Sequence, residues 1–234
     1  MTHALPQPGY GRRMACYLQE MYPLQLRFLL SLIIGATAVL YTVHVQEWTT
    51  AGLLGPIVIT SAAAFLILLL LRLMDELKDQ EIDQQLFRDR PLPSGRVREH
   101  DIRWSMAAVT TTYVCIHFLY PVSLLTALPL LGYTFLMYRY FFVPGLLREN
   151  LLLNLATHNP VIPLIFLHLV MVTAAARGIA PSALHWPLLL RGVGMLWMTM
   201  FAWEIARKIR GPREENDYVT YSQLLGSTGA VALA

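Results

Sequence analysis

The sequence predicts an all-α fold: a polytopic transmembrane helical bundle, a single membrane domain over 1–234, with a central cavity open to the cytoplasmic side. Three observations predict it. Hydrophobic residues make up 56% of the 234 residues and charged residues only 14%, whereas a soluble domain carries roughly a quarter charged. The shortfall is gathered into six apolar runs, each long enough to cross a hydrocarbon layer of about 30 Å as a helix. Finally, 16 of the 18 Lys and Arg residues fall on one side of the alternating loops, leaving only Arg177 and Arg191 on the other. That asymmetry predicts a cytoplasmic N-terminus and places both strongly charged loops in the cytoplasm. The net charge of +3 therefore reads as topology, and no nucleic-acid partner is expected.

Residues 1–25 form a lead-in with Arg12 and Arg13 but no apolar core, so no cleavable signal peptide is expected. The first span is 28–45 and the second is 52–71, which ends at Arg72. The third and fourth, 102–120 and 121–137, meet in a tight turn at Tyr120–Pro121. The fifth, 151–176, is interrupted by Asn159, Pro160 and Pro163, because proline removes a helix donor and crowds the preceding turn. The sixth, 183–206, ends in Glu204 and a basic run. A seventh span could start near 229–234. Cys16 and Cys115 make no zinc or redox spacing and are read as unpaired thiols.

The segment between spans two and three carries the chemistry. Asp75, Asp79 and Asp83 recur every four residues, so a continuous helix projects all three from one face. Such neighbours repel by a few tenths of a kcal/mol per pair. They are either a solvated helix face or a site for something positive. Mg²⁺ takes hard oxygen ligands, often one or two carboxylates plus substrate phosphates. Lys78 is the one basic residue interleaved among them. Arg90-Pro91-Leu92-Pro93-Ser94-Gly95 follows, and its prolines and glycine predict a rigid turn that ends any helix. Arg90 then either binds phosphate oxygens as a fork or pins the loop.

This segment resembles the first aspartate-rich motif of the UbiA superfamily of intramembrane prenyltransferases. That motif reads Asn-Asp-x-x-Asp-x-x-x-Asp after the second helix and is followed by Arg-Pro-Leu-Pro-Ser-Gly. The hexapeptide is intact at Arg90–Gly95, and Asp79 and Asp83 match the closing Asp-x-x-x-Asp. Asp75 lies four residues before Asp79 where the motif has an Asp three before, and Met74 stands where Asn is common. Tyr138-Arg139, at the end of span four, is similar to a Lys-Arg segment of that family. Arg139 is thus either an anchor reaching the membrane surface or a diphosphate contact. The resemblance spans about residues 22–226. Members have nine helices, so the six spans here imply that this sequence is a piece of a longer protein or that further helices come from elsewhere.

In span five, His158 follows Asn154 by four residues, and Asn159 adjoins it. Buried polar groups in a span need partners or a cavity. These residues either hydrogen-bond between helices or line a pocket for a second substrate. After span six the family carries a second Asp-x-x-x-Asp. This chain has Glu204 and Lys208 one turn apart instead, then Glu214, Glu215 and Asp217. Glu204 and Glu215 are the candidate second-site metal ligands, and Lys208 is a candidate diphosphate contact. The plain alternative is a Glu204–Lys208 ion pair at the membrane edge.

The resemblance implies a transferase. On that resemblance a prenyl group would pass from a prenyl diphosphate to a lipophilic acceptor of aromatic type within the bilayer. The implied cofactor is Mg²⁺, held by Asp75, Asp79, Asp83, Glu204 and Glu215, with Asp75, Asp79, Asp83 and Glu204 as the catalytic set. Lys78, Arg90, Arg139 and Lys208 would bind the diphosphate, and His158 and Asn159 the acceptor. A terpene cyclase on the same scaffold is the nearest alternative. A transporter or non-catalytic scaffold is another, but the polar groups gather at one edge of the spans instead of running through their centre.

Overall fold

A computed structural model describes residues 8–211, 213 and 219–234. Among the described residues every regular element is helical. Five segments are long and apolar enough to cross a membrane: Leu24–Val45, Leu54–Lys78, Pro121–Tyr138, Leu151–Ala176 and Trp186–Ala206. The protein is an integral, multi-pass membrane protein.

The chain opens with a short helix α1 (Tyr10–Met21), followed by α2 (Leu24–Val45) and α3 (Leu54–Lys78). A short α4 (Gln80–Leu86) precedes the proline turn, and α5 (Glu99–Phe118) follows it. Then come α6 (Leu124–Tyr138), α7 (Pro144–Glu149), α8 (Leu151–His158), α9 (Val161–Ala176), α10 (Trp186–Ala206) and α11 (Tyr221–Leu233). The sequence suggests a span at 102–120. At 20 residues α5 is long enough, but Asp101, Arg103, three consecutive threonines and His117 leave it less apolar than the other five. The helix at the start of the suggested seventh span, α11, has 13 residues. Its backbone breaks at Gly226, where φ is +71°.

α3 is the central post. Ala63, Ala64, Ile67 and Leu70 on α3 are wholly buried and pack against Ala38 of α2, Tyr113 of α5, Leu130 of α6 and Leu169 of α9. Small side chains let the helices approach where apolar burial against lipid gains little. Gly35 of α2 lies directly over Ser61 of α3, and a Cβ there would come within 2.3 Å of the serine oxygen. The buried polar groups of this interior bond to each other. Tyr113 Oη and His168 Nε2 are 2.8 Å apart, and His168 Nδ1 lies 2.9 Å from Thr126 Oγ1. At the end of the bundle opposite the charged loops, Arg177 donates to the carbonyls of Thr49 and Ala51 and so closes the α2–α3 turn.

α1 is amphipathic. Its buried Met14 and Tyr17 pack against Leu73 of α3, Leu92 and Val97 of the proline turn, and Ile102 of α5. It is strapped down by Arg13, whose guanidinium donates to both Asp101 carboxylate oxygens at 2.6 Å. α1 therefore lies as a brace across the segment where the aspartates sit.

Candidate functional site

α3 runs without a break to Lys78. Asp79 is its C-cap, at φ −97° and ψ 9°, and α4 starts at the next residue. The three aspartates thus do not share one unbroken helix. Asp75 is in the last turn of α3, Asp79 at the junction and Asp83 in α4. The backbone still steps by four, since Asp79 N–H donates to Asp75 O and Asp83 N–H to Asp79 O, each at 2.9 Å.

The proline turn folds as its sequence suggests. Ser94 N–H bonds Arg90 O, Gly95 N–H bonds Leu92 O, and Val97 N–H bonds Pro91 O. Gly95 has φ +76°, a conformation that costs a residue with a Cβ about 1 kcal/mol. Leu92 and Val97 are buried beneath α1, which fixes the turn and aims Arg90 back at α4. Arg90 donates to both Asp83 oxygens, at 2.8 and 2.9 Å, and its guanidinium lies 3.9 Å from the Phe87 ring centroid. Asp83 and Arg90 therefore hold each other.

Two adjoining recesses open around Asp79. One, of about 530 Å³, is lined by Asp75, Lys78, Asp79, Tyr140, Arg148 and Asn154 from the first part of the chain and by Glu204, Arg207 and Lys208 from the end of α10. The other, of about 470 Å³, is lined by Asp79, Asp83, Arg90, Arg207, Lys208, Arg210 and Thr220. The two charged segments, more than a hundred residues apart, thus meet at one place. Asp75 is exposed to the first recess. Among the described residues, neither Asp75 nor Asp79 forms an ion pair. Burial raises the Asp79 carboxyl above the ordinary carboxylate range, Lys78 pulls it back, and Asp83 adds to the rise.

The remaining sequence candidates fall in different places. Lys78 Nζ lies 2.8 Å from His158 Nε2, and His158 Nδ1 lies 3.0 Å from the carbonyl of Asn154. A carbonyl only accepts, so Nδ1 carries the proton and Nε2 accepts from Lys78. His158 thus stands behind Lys78. Asn159 accepts a hydrogen bond from the indole of Trp197 on α10, which is the helix-to-helix alternative. Arg139 caps α6, with its guanidinium 5.9 Å from the Phe142 ring, and lines neither recess. Glu204 accepts from Arg207 at 2.6 and 2.7 Å and lies 3.5 Å from Lys208. Glu215 lies outside the described residues, as do Glu214 and Asp217.

Three residues of this region escape sequence reasoning. Glu76 is buried, with one oxygen 2.6 Å from Arg72 and 3.5 Å from Tyr17 Oη. Its four-residue offset from Arg72 is a readable signal. Tyr140 and Arg148 line the first recess. Tyr140 Oη is 3.5 Å from Asp79 Oδ1. Burial, with the Asp79 carboxylate second, lifts that phenol above its ordinary range.

Among the described residues, no three His, Cys, Asp or Glu side chains converge closely enough to hold a metal ion by themselves. The donors present do suit one ion shared with a substrate. Asp75 and Asp79 are hard oxygen donors that form no ion pair among the described residues, and Mg²⁺ is commonly held by one or two carboxylates, waters and substrate phosphates. No family model matches this chain, and no curated protein or solved structure is similar enough to match it.

Proposed function

We propose that this protein is a prenyltransferase of the UbiA type. It would move a prenyl group from a prenyl diphosphate to a lipophilic acceptor within the bilayer. The observation that carries this reading is a pair of carboxylates, Asp75 and Asp79, with no ion pair among the described residues, sharing one recess with Lys78, Arg148, Arg207 and Lys208 at the end of an apolar bundle. An acidic pair beside a basic wall suits a divalent cation bound to a polyanion. Apolar helices around it suit an isoprenoid tail. The skew of Lys and Arg supports a cytoplasmic N-terminus and cytoplasmic charged loops, so the recess at that end would open to the cytoplasm.

In this reading Asp75 and Asp79 would hold Mg²⁺, which when bound would supply positive charge to the departing diphosphate. Lys78 and Lys208 bind the diphosphate oxygens. The allylic C–O bond breaks and its electron pair leaves on the diphosphate. The allylic carbon then bonds to the acceptor, which gives up a proton. The surrounding helices keep water from the cation. Asp83 and Arg90 shape the wall on the α4 side, and His158 holds Lys78 in place.

The test is direct. Purified protein is incubated with Mg²⁺, prenyl diphosphates of several lengths and a set of aromatic acceptors, and diphosphate release and prenylated products are measured. Release that depends on Mg²⁺ and disappears in Asp79→Ala supports the reading. No release with any substrate, or full release in Asp79→Ala, overturns it. Release with a cyclised hydrocarbon as the only product assigns the chain to the cyclase class.

A further inference from the structure

The first recess contains a buried aromatic residue, Tyr140, to which the prenyl diphosphate reading gives no role. Tyr140, Phe141 and Phe142 follow α6 with φ of 48°, 50° and 61°. Non-glycine residues in this left-handed region each cost about 1–2 kcal/mol, and runs of them persist only where surrounding contacts enforce them. Here the contacts are concentrated on Tyr140. It is buried, at 7% exposure. The ammonium of Lys78 lies 4.3 Å from its ring centroid, and the guanidinium of Arg148 lies 5.0 Å from it. The next residue, Phe141, packs edge-on against His158 at 5.8 Å, and His158 in turn accepts from Lys78. The left-handed turn leaves the Tyr140 ring within reach of two cations, one from α3 and one from α7.

Both cations line the recess. Neither is spent on Asp75 or Asp79: Lys78 bonds His158, and Arg148 pairs with the exposed Glu81 at 2.9 Å. An aromatic face attracts a cation without neutralising it, so both keep their charge for an anion. We propose that Tyr140 is a positioning residue that holds Lys78 and Arg148 as a two-cation clamp for the diphosphate end of the substrate, and that Arg148 is a direct ligand of that anion. This inference rests on the prenyl diphosphate reading for the identity of the ligand.

The test uses the full chain in detergent micelles and inorganic pyrophosphate as probe. Binding is measured by calorimetry with Mg²⁺ at saturation. Arg148→Gln removes a charge-assisted contact and weakens pyrophosphate binding about tenfold. Tyr140→Leu removes the ring and weakens it by a similar factor. The double variant is no more than about twofold weaker than the worse single one, because both act through one clamp. Tyr140→Phe restores the ring and brings pyrophosphate affinity back to within about twofold of the parent. It also lowers Mg²⁺ affinity measured at fixed pyrophosphate, since the phenol no longer reaches Asp79. Thermal melting of each variant separates these effects from loss of fold, and Arg148→Gln, at the protein surface, keeps the test alive if Tyr140→Leu does not fold. Parental affinity in Arg148→Gln, or independent multiplicative losses in the double variant, overturns the clamp. A parent chain that binds no pyrophosphate overturns the clamp and the prenyl diphosphate reading together. An intact clamp in a chain that releases no diphosphate from any prenyl substrate overturns that reading alone.

Discussion

The two charged segments sit at the same end of the bundle and use the same residue types, but they dispose of their acids in opposite ways. At the end of α3, Asp75 and Asp79 face a recess without an ion pair among the described residues, and the nearby Lys78 is turned to His158. At the end of α10, Glu204 is covered by Arg207 and Lys208 from its own next turn. The difference follows from local geometry. Arg207 and Lys208 stand three and four residues after Glu204, where a helix brings side chains together. Lys78 stands three residues after Asp75, but its path is taken by His158 and Tyr140. Asp75 stays open because the two cations of its own helix are engaged elsewhere, Arg72 by Glu76 and Lys78 by His158.

The sharpest way to break this comparison is to remove one open acid. Asp79→Asn keeps the shape and deletes a carboxylate that we assign to the metal. Diphosphate release is expected to fall by about 10²–10³-fold, the range typical of losing one preorganised charge-stabilising group. The midpoint of Mg²⁺ dependence should move to higher concentration. Unchanged release would mean that Asp79 is only a cap.

The first segment is also braced from outside, and the brace is the next test. Asp101 is wholly buried and depends on Arg13. Arg13→Ala leaves the Asp101 carboxylate with only the Arg98 N–H as partner among the described residues and should lower the melting temperature near neutral pH. The Arg13 hydrogen bonds hold the Asp101 carboxyl below the usual carboxylate range. A group depressed in this way stabilises the fold at pH above its unfolded value, near 4, and that stability is lost as pH falls below it. The gap between parent and variant melting temperatures should therefore be widest near pH 7 and narrow below about pH 4. A constant gap would mean that Arg13 acts by packing alone.

How much of this is written locally decides how much can be read from the sequence. The helices are legible because the change from water to lipid acts on each run of residues by itself. The proline turn is legible for the same reason: Pro91, Pro93 and Gly95 constrain their own backbone. Gly95→Ala tests that reading, with an expected loss of about 1 kcal/mol from its φ of +76°, measured by thermal unfolding. The recess is legible only in part. Asp75, Lys78 and Asp79 announce themselves by spacing, whereas Tyr140 and Arg148 do not. Nothing in Tyr140-Phe141-Phe142 signals a left-handed turn, because no glycine or asparagine is present to favour one, and contacts from three other elements impose it. The partner of Asn159 was equally unreadable, because Trp197 lies on another helix.

The smallest expected effect falls on the second segment. Glu204 is about a fifth exposed, and Arg207 about half. Ion pairs this open to solvent contribute from nothing to about 1 kcal/mol. Glu204→Gln should accordingly change stability by less than about 1 kcal/mol and leave the Mg²⁺ midpoint of diphosphate release where it was. A rise in the Mg²⁺ midpoint matching that of Asp79→Asn would mean that Glu204 leaves its cations to take the metal when substrate is bound. The two segments would then be alike in function despite their different pairing, and the contrast between open and covered acids would describe only the ligand-free protein.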